Sequence, residues 1–161
     1  MVRVGLYCEL ESRDCVLEEQ MSRLLPWLRV KITPFMNIET LDAEYIPEKP
    51  GVYVMLSDHT EYIYPWSDSK GNSQVYYIGQ AKNLRERLKT HKKYCTEAIS
   101  HRDLRYNYYF PRYEYAAHHG CNVGWIICNN PKEAKETENE LLVAFAKCYG
   151  AKPVANGQSG W

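Results

Sequence analysis

The chain has 161 residues, of which 45% are apolar, and its 20 basic and 20 acidic side chains give a formal net charge of zero. This composition is sufficient to bury one core and argues against global disorder. No run of 18 uncharged apolar residues predicts a membrane span, and the N-terminus turns acidic before any long apolar stretch forms, unlike a signal peptide. None of the six cysteines has C-x-x-C spacing, so we expect free thiols in a soluble protein of the reducing cytoplasm.

Charge is distributed unevenly along the chain. Residues 1–62 carry 6 basic and 11 acidic side chains, whereas residues 82–112 carry 9 basic and 3 acidic ones. A concentrated positive segment can bind a polyanion, although such a run is also typical of a solvated helix face. Five of the 14 tyrosines fall within residues 106–115. Interleaved aromatic and basic side chains can stack on bases, or they can form the edge of a core.

The first third of the chain predicts a small accessory unit. Apolar residues alternate with polar ones over residues 2–10, which predicts a strand, and they recur at helical spacing over residues 17–28, which predicts a helix. The proline-bearing stretch 41–50 indicates the boundary at which the main domain begins. We therefore predict an N-terminal extension over residues 1–47 and a main domain over residues 48–161.

The main domain begins with a predicted β-hairpin. Residues 51–56 and 75–80 are typical of strands, and a long polar loop over residues 57–74 joins them. Two helices, a strand and a helix capped by Asn130 follow, predicted at Ala81 to about Lys93, about 95–103, Val123 to Cys128, and Pro131 to Cys148. The tail is predicted to be surface coil. This order predicts an α+β or α/β fold, in which helices flank a small three-stranded sheet of mixed or antiparallel pairing.

Glu138 lies at the centre of the apolar face of the last predicted helix. It is three or four residues away from Ala134, Leu141 and Leu142, so it projects from the same side of the helix. A carboxylate within a buried stripe is costly unless it is paired or binds a metal. Glu138 is therefore either a core carboxylate paired with an arginine or lysine, or a metal ligand or acid–base group.

A second column of polar residues lies on the helix that follows the hairpin. Asn83, Arg87 and His91 are spaced four residues apart and share one helix edge. An arginine there can clamp a phosphate and stabilise charge that develops on it. A histidine can position or protonate a reacting oxygen. Taken singly, each of these residues is more typical of an ordinary helix surface.

The strings around these residues carry a resemblance to a known family. G-V-Y at residues 51–53, Y-I-G at 77–79 and Q-A-K-N-L-R-E-R-L at 80–88 together resemble the signature of the GIY-YIG nuclease superfamily. E-A-K-E-T-E-N-E-L-L at 133–142 resembles the family's carboxylate helix, and Pro153-x-x-Asn156 resembles its closing asparagine. The resemblance covers about residues 48–157 and leaves residues 1–47 outside it.

The resemblance implies a GIY-YIG-type fold and an endonuclease that hydrolyses phosphodiester bonds in DNA. It implies one divalent metal, Mg²⁺ or Mn²⁺, held mainly by Glu138. It also implies that a tyrosine helps to activate the attacking water, as a general base or through a water. The choice between Tyr53 and Tyr77 stays open, and we favour Tyr53. A phenol with a pKa of about 10 is a poor base at neutral pH, so it requires a nearby cation.

Three further site residues follow from the same resemblance. Arg87 would stabilise the pentavalent phosphate, His91 occupies the position at which the family has histidine or tyrosine, and Asn156 would support the site from the tail. Gln80 stands where some members have lysine, so a second cation is missing there. His118, His119 and Cys121 lack a complete ligand set and are predicted to be loop residues.

The predicted partner is DNA, branched or site-specific, with no membrane contact. The candidate DNA contacts are Lys82, Asn83, Arg85, Lys89, Lys92, Arg102 and Arg105. Two alternatives stay open at this point. One is a catalytically inactive nucleic-acid-binding or protein-interaction module on the same fold, and the other is an RNA-cleaving nuclease or toxin.

Overall fold

A computed structural model of the protein describes residues 24–64, 71–101 and 110–156. Four strands form one sheet in the order β1-β4-β2-β3, and all of its pairings are antiparallel. The strands are β1 (Met36–Asn37), β2 (Gly51–Leu56), β3 (Val75–Ala81) and β4 (Asn122–Ile127). The helices are α1 (Leu84–Ser100), α2 (Pro111–His119) and α3 (Pro131–Tyr149), with a 3-10 turn at Ala43–Tyr45. The predicted α+β class is confirmed, and the two-residue β1 adds a fourth strand to the three that were predicted.

The β2–β3 hairpin sets the positions of the two tyrosines of the G-V-Y and Y-I-G strings. Tyr53 pairs with Gly79 and Met55 pairs with Tyr77, so Tyr53 and Tyr77 project from the same face of the sheet. The next pair, Leu56 with Val75, leaves Tyr76 as an extra residue, which is a β-bulge. All six residues of β2 are buried, as expected for a strand with a neighbour on each side.

At two positions of these strings, neighbouring atoms lie too close to the backbone for any residue except glycine. A Cβ atom at Gly79 would lie 2.5 Å from the Tyr53 hydroxyl and 2.9 Å from the Tyr77 ring. A Cβ at Gly51 would lie 2.3 Å from the Ile126 carbonyl oxygen. Only a residue without a side chain leaves room for the Tyr53 ring to cross β3 and for α1 to pack on the hairpin.

Two helices start at asparagine caps, of which only Asn130 was predicted, and the helix start predicted at Ala81 was wrong because Ala81 is the last residue of β3. The side chain of Asn83 accepts a hydrogen bond from the Glu86 backbone N–H at the start of α1, and Asn130 does the same for Glu133 at the start of α3. The predicted helix over residues 131–148 is confirmed to within one residue. Gly150 ends it with a φ of 82°, a left-handed conformation that glycine adopts without strain.

The prediction of two helices over residues 81–103 was wrong. A single helix, α1, continues to Ser100, because Cys95 and Ala98 extend its buried stripe at helical spacing and no glycine or proline interrupts it. The second helix is α2, and it begins at Pro111, where proline is favoured in a first turn. His118 and His119 are therefore the last residues of a helix and not loop residues, whereas Cys121 lies between α2 and β4.

The described part of the predicted N-terminal extension, residues 24–47, packs into the same core as the sheet. Trp27 contacts Phe145 of α3 edge to face at 5.3 Å, and Ile38 and Leu41 are buried. The strand predicted over residues 2–10 and the predicted helix up to residue 23 lie outside the described residues. The end of that prediction was wrong, because residues 25–28 around Pro26 form a turn and not a helix. The boundary between residues 47 and 48 stays a prediction.

The tail is not plain surface coil as far as it is described. Pro153 and Ala155 are buried, and the Ala155 N–H donates to the Tyr76 carbonyl of β3 at 2.8 Å. The reason is that β3 is the last strand of the described sheet, so its outer backbone groups need partners. No helix in the described ranges has the length and apolar character needed to cross a membrane.

Candidate active site

Tyr53 lies at the centre of a buried chain of three side chains. Its side chain is fully buried, and its hydroxyl lies 2.7 Å from Nε2 of His91 on α1. Nδ1 of the same imidazole lies 2.9 Å from the hydroxyl of Tyr113 on α2. The chain thus joins the central strand to two helices, and both ring nitrogens of His91 have a phenol as partner.

The protonation states of this chain follow from its burial. Burial, together with the nearby Tyr77, raises the pKa of Tyr53 well above its usual value. Burial lowers the pKa of His91 to about 3, and the guanidinium groups of Arg112 and Arg87 add to that effect. His91 is therefore neutral at physiological pH and carries a single N–H. It donates to one tyrosine and accepts from the other.

Tyr77 lies beside this chain but is more accessible. Its side chain is half-buried, and its ring centroid is 6.1 Å from that of Tyr53 and 6.5 Å from that of His91. The guanidinium carbon of Arg112 lies 5.1 Å from the centroid of the Tyr77 ring. Of the two predicted tyrosines, Tyr77 is the one that a substrate can contact without displacement of protein.

Glu138 lies near the end of β3, within electrostatic range of Arg87. The Glu138 side chain is half-buried, and burial raises the pKa of its carboxyl group. The opposing influences are the positive charge of Arg87, the Gln80 backbone N–H and the charge of Lys152, so all three lie near the carboxylate. In the described part of the chain no lysine or arginine forms an ion pair with Glu138.

The donor set around Glu138 suits a hard divalent cation. Residues 24–64, 71–101 and 110–156 contain no cluster of three His, Cys, Asp or Glu side chains that could hold a metal. Mg²⁺, however, binds through one or two carboxylates, several waters and substrate phosphates rather than in an all-protein cage. Gln80 also has a buried side-chain oxygen without a hydrogen-bond partner in the described ranges. Cys95, Cys121 and Cys128 are free thiols, and no described cysteine belongs to a metal-binding cluster.

Asn156 is bound to the strand that carries Tyr77. Its Oδ1 accepts from the Ile78 backbone N–H and its Nδ2 donates to the Ile78 carbonyl, both at 2.8 Å. The side chain therefore continues the sheet by one residue, next to Tyr77. Asn83, by contrast, caps α1 and does not join Arg87 and His91 in the cluster.

The candidate DNA contacts divide into engaged and accessible residues. Arg85 donates to the Ile46 carbonyl at 2.8 Å and pairs with Glu48 at 3.3 Å. Lys92 donates to the Leu41 carbonyl at 2.6 Å. Lys82 and Lys89 are exposed, as is Arg87. Arg102 and Arg105 lie outside the described residues.

Two residues next to the cluster did not emerge from the sequence as site residues. Arg112 and Tyr113 are in the first turn of α2, beside Tyr77 and His91 respectively. Both belong to segments whose composition is unusual, the basic residues 82–112 and the tyrosine-rich residues 106–115. The only sequence signal for their placement is Pro111, which is typical of a helix start.

The fold and the site thus define an α+β protein in which tyrosine, histidine, arginine and glutamate converge on one hairpin. No family model matches the chain. It is 31% identical over 107 residues to the UvrABC system protein C of Chlamydia pneumoniae and 31% identical over 103 residues to that of Aquifex aeolicus. It is 28% identical over 114 residues to the UvrABC system protein C of Chlamydia abortus. These matches cover 64 to 71% of this chain but only 14 to 15% of the relatives, so the similarity is to one segment of them.

Proposed function

We propose that this chain is a GIY-YIG-type endonuclease, a metal-dependent hydrolase of phosphodiester bonds in DNA. The observation that carries the proposal is that Tyr53 and Tyr77 pack side by side on the hairpin while Arg87 acts electrostatically on both Tyr53 and Glu138, although four different elements supply these residues. Such convergence of a phenol pair, a guanidinium and a half-buried carboxylate is what in-line attack on a phosphate diester requires. The similarity to a segment of UvrABC system protein C supports the same assignment.

Arg87 binds the scissile phosphate in this proposal. Its side chain is exposed at the surface of α1 and acts electrostatically on Tyr53, His91 and Glu138. A guanidinium presents two parallel N–H donors to two phosphate oxygens, which positions the phosphate and neutralises charge that develops on it. This places the phosphorus between the tyrosines and the carboxylate.

We assign to Tyr77 the role of accepting a proton from the attacking water. Two observations support this assignment over Tyr53, the residue that the sequence analysis favoured. Tyr53 is fully buried and its hydroxyl is already bound to His91, whereas Tyr77 is half-buried beside the guanidinium of Arg112. The cation–π contact of Arg112 also holds the Tyr77 ring in place beside the position proposed for the substrate.

The buried chain behind Tyr77 holds the site in shape. Tyr113 and Tyr53 occupy both nitrogens of neutral His91 and thereby fix its ring plane. The Tyr53 ring then supports the Tyr77 ring across Gly79. His91 and Tyr113 are positioning residues in this account, since neither has to contact the substrate.

Glu138 would hold the divalent metal, Mg²⁺ or Mn²⁺. When bound, the metal supplies a Lewis acid for the phosphate oxygens and the leaving group. The protein's own contribution is a carboxylate that no lysine or arginine of the described ranges neutralises by direct pairing. The burial that raises the pKa of Glu138 makes a cation at this point favourable, because the cation stabilises the ionised form.

The test compares two glutamates of the same helix. Purified wild-type protein, Glu138→Gln and Glu140→Gln are each incubated with supercoiled plasmid, a branched DNA and RNA, with Mg²⁺ or with chelator. Glu140 is exposed and lies off the apolar face of α3, so it controls for the loss of one charge. We expect wild type and Glu140→Gln to nick DNA only with Mg²⁺, and Glu138→Gln to lose at least about 100-fold in rate.

The other outcomes separate the alternatives. Cleavage of RNA but not of DNA would show that the substrate is RNA instead of DNA. Salt-sensitive DNA binding without cleavage by the wild type would favour an inactive binding module. Full activity of Glu138→Gln would remove the metal assignment.

A further inference from the structure

We propose that Arg112 is a second phosphate-binding residue of this site, which contacts a DNA phosphate other than the one held by Arg87. The inference rests on the proposed function for its substrate, but it concerns a residue that neither the signature strings nor the comparisons single out. The observation that carries it is a partly buried guanidinium that faces aromatic rings and no acid.

The surroundings of Arg112 are aromatic on three sides. Its guanidinium carbon lies 4.2 Å from the centroid of the Phe110 ring and 5.1 Å from those of Tyr77 and Tyr113. The rings fix the plane and direction of the guanidinium through cation–π contacts. They also exclude water from its faces, which leaves the N–H edge as the part that can bind a partner.

One donor of that edge is not satisfied within the described residues, although another part of the guanidinium donates a hydrogen bond to the Tyr113 hydroxyl. The Nε–H of Arg112 is buried and has no hydrogen-bond partner there, and no acidic side chain of the described ranges pairs with the guanidinium. A partly desolvated cation without a counter-ion is unfavourable, and buried polar groups without partners are rare in folded proteins. Such a group is best explained by an anion that arrives with the substrate.

The position relative to the catalytic cluster identifies the anion. The guanidinium of Arg112 contacts the ring of Tyr77. Arg112 and Arg87 both act electrostatically on the buried Tyr53 and His91 side chains. The two guanidinium groups come from different helices, α2 and α1. One backbone phosphate at Arg87 therefore brings a neighbouring phosphate of the same strand toward Arg112. Arg112 thus supplies the second cation that is missing at Gln80.

The test measures binding separately from cleavage. Affinities for a labelled DNA duplex are determined in chelator at several salt concentrations for wild type, Arg112→Gln, Arg112→Lys and Arg29→Gln. Arg29 is a matched control because its guanidinium is exposed and bonds to the Pro26 carbonyl, within the N-terminal segment. Circular dichroism and thermal melting establish that each variant is folded.

We expect Arg112→Gln to bind about tenfold more weakly and to reduce the slope of log K against log salt by about 1, the loss of one phosphate contact. Arg112→Lys should restore the slope because it retains the charge. Arg29→Gln should match the wild type. If Arg112→Gln does not fold, the Nε–H resonance of Arg112 in the ¹⁵N-labelled wild type should shift on addition of DNA in chelator.

Two results would overturn the inference. One is a wild-type salt slope and affinity in folded Arg112→Gln, and the other is an Arg112 resonance that DNA leaves unchanged. These results are distinguishable from failure of the proposed function, because that failure is the absence of metal-dependent cleavage by the wild type. A protein that binds DNA through Arg112 without cleaving it would support the inference and reject the hydrolase.

Discussion

At the scale of single residues, the environment of each tyrosine sets the part that it can take in chemistry. Tyr53 and Tyr77 come from paired strands and project from the same face of the sheet. Tyr53 is buried and bound to His91, whereas Tyr77 is half-buried. Burial raises the pKa of Tyr53 well above its usual value, so its phenol stays neutral over the physiological range. The two hydroxyls are therefore not interchangeable, and removing each should have a different signature.

Phenylalanine substitutions separate the two parts. Tyr77→Phe should fold like the wild type and lose about 100-fold or more in the rate of DNA cleavage, because it removes the acceptor for the water proton. Tyr53→Phe should lower the free energy of unfolding by about 1 to 3 kcal/mol, because it leaves Nε2 of buried His91 without a partner. Urea unfolding and single-turnover cleavage measure the two effects.

An exposed tyrosine controls for the substitution itself. Tyr45 is 71% exposed and lies in the 3-10 turn, so Tyr45→Phe should change neither quantity. Equal losses of cleavage in Tyr77→Phe and Tyr45→Phe would contradict the assignment of Tyr77. A cleavage loss confined to Tyr53→Phe would return the role to Tyr53.

At the scale of elements, the outer edge of β3 is completed by the tail. Ala155 and Asn156 satisfy the outward backbone groups of Tyr76 and Ile78, on either side of the residue that we assign to the water. A free strand edge is also a template for pairing with other chains, and the tail covers it. The asparagine of the tail thus acts on the site through β3.

Replacement of Asn156 should therefore affect stability and cleavage together. Asn156→Ala leaves both backbone groups of Ile78 without their protein partner, which should cost about 1 to 3 kcal/mol of unfolding free energy. Asn156→Asp keeps the acceptor but loses the donor, so it should also destabilise. Cleavage by both variants should fall at temperatures at which they are still folded, because Tyr77 is no longer held.

Asn139 provides the matched control for this prediction. It is exposed on α3, and Asn139→Ala should leave unfolding and cleavage unchanged. Thermal melting and cleavage rates below the melting transition are the measurements. A wild-type rate in Asn156→Ala would show that the tail does not position β3.

The elements also show what the sequence could and could not predict. The hairpin and α3 follow from local signals, the alternation of β2 and the Asn130-Pro131 helix start, and they were predicted within a residue or two. The approach of Tyr53, Arg87 and Glu138 was available only through the resemblance of the strings. The His91–Tyr113 contact spans 22 residues and depends on how α1 packs against α2, which no local pattern encodes.

At the scale of the whole molecule, zero net charge conceals two guanidinium groups near the buried imidazole of His91. Arg87 and Arg112 act together on His91, and burial acts in the same direction. The imidazole therefore stays neutral far below its ordinary pKa of 6.5, and it becomes protonated in the folded protein only near pH 3. This difference between the folded and unfolded chains makes global stability depend on pH.

The sign follows from proton binding in each state. Between pH 6.5 and about 3 the unfolded chain binds a proton at residue 91 and the folded chain does not. The contribution of residue 91 to the free energy of unfolding is therefore greatest above pH 6.5 and is lost as the pH falls. Its slope against pH is at most about 1.4 kcal/mol per pH unit. Glu138 acts in the opposite sense from pH 4.5 upward, because its pKa is raised, so the contribution of residue 91 is obtained as the difference between wild type and a variant at that residue over about pH 5 to 7.

Urea unfolding at several pH values in that range should show this loss for the wild type. His91→Gln retains hydrogen-bonding atoms but does not titrate, so it should be less stable at neutral pH and show a flatter dependence on pH. His59→Gln removes an exposed histidine and should keep the wild-type slope. If His91→Gln lost stability toward acid as steeply as the wild type, the imidazole could not be the neutral, buried link between Tyr53 and Tyr113 that holds the site together.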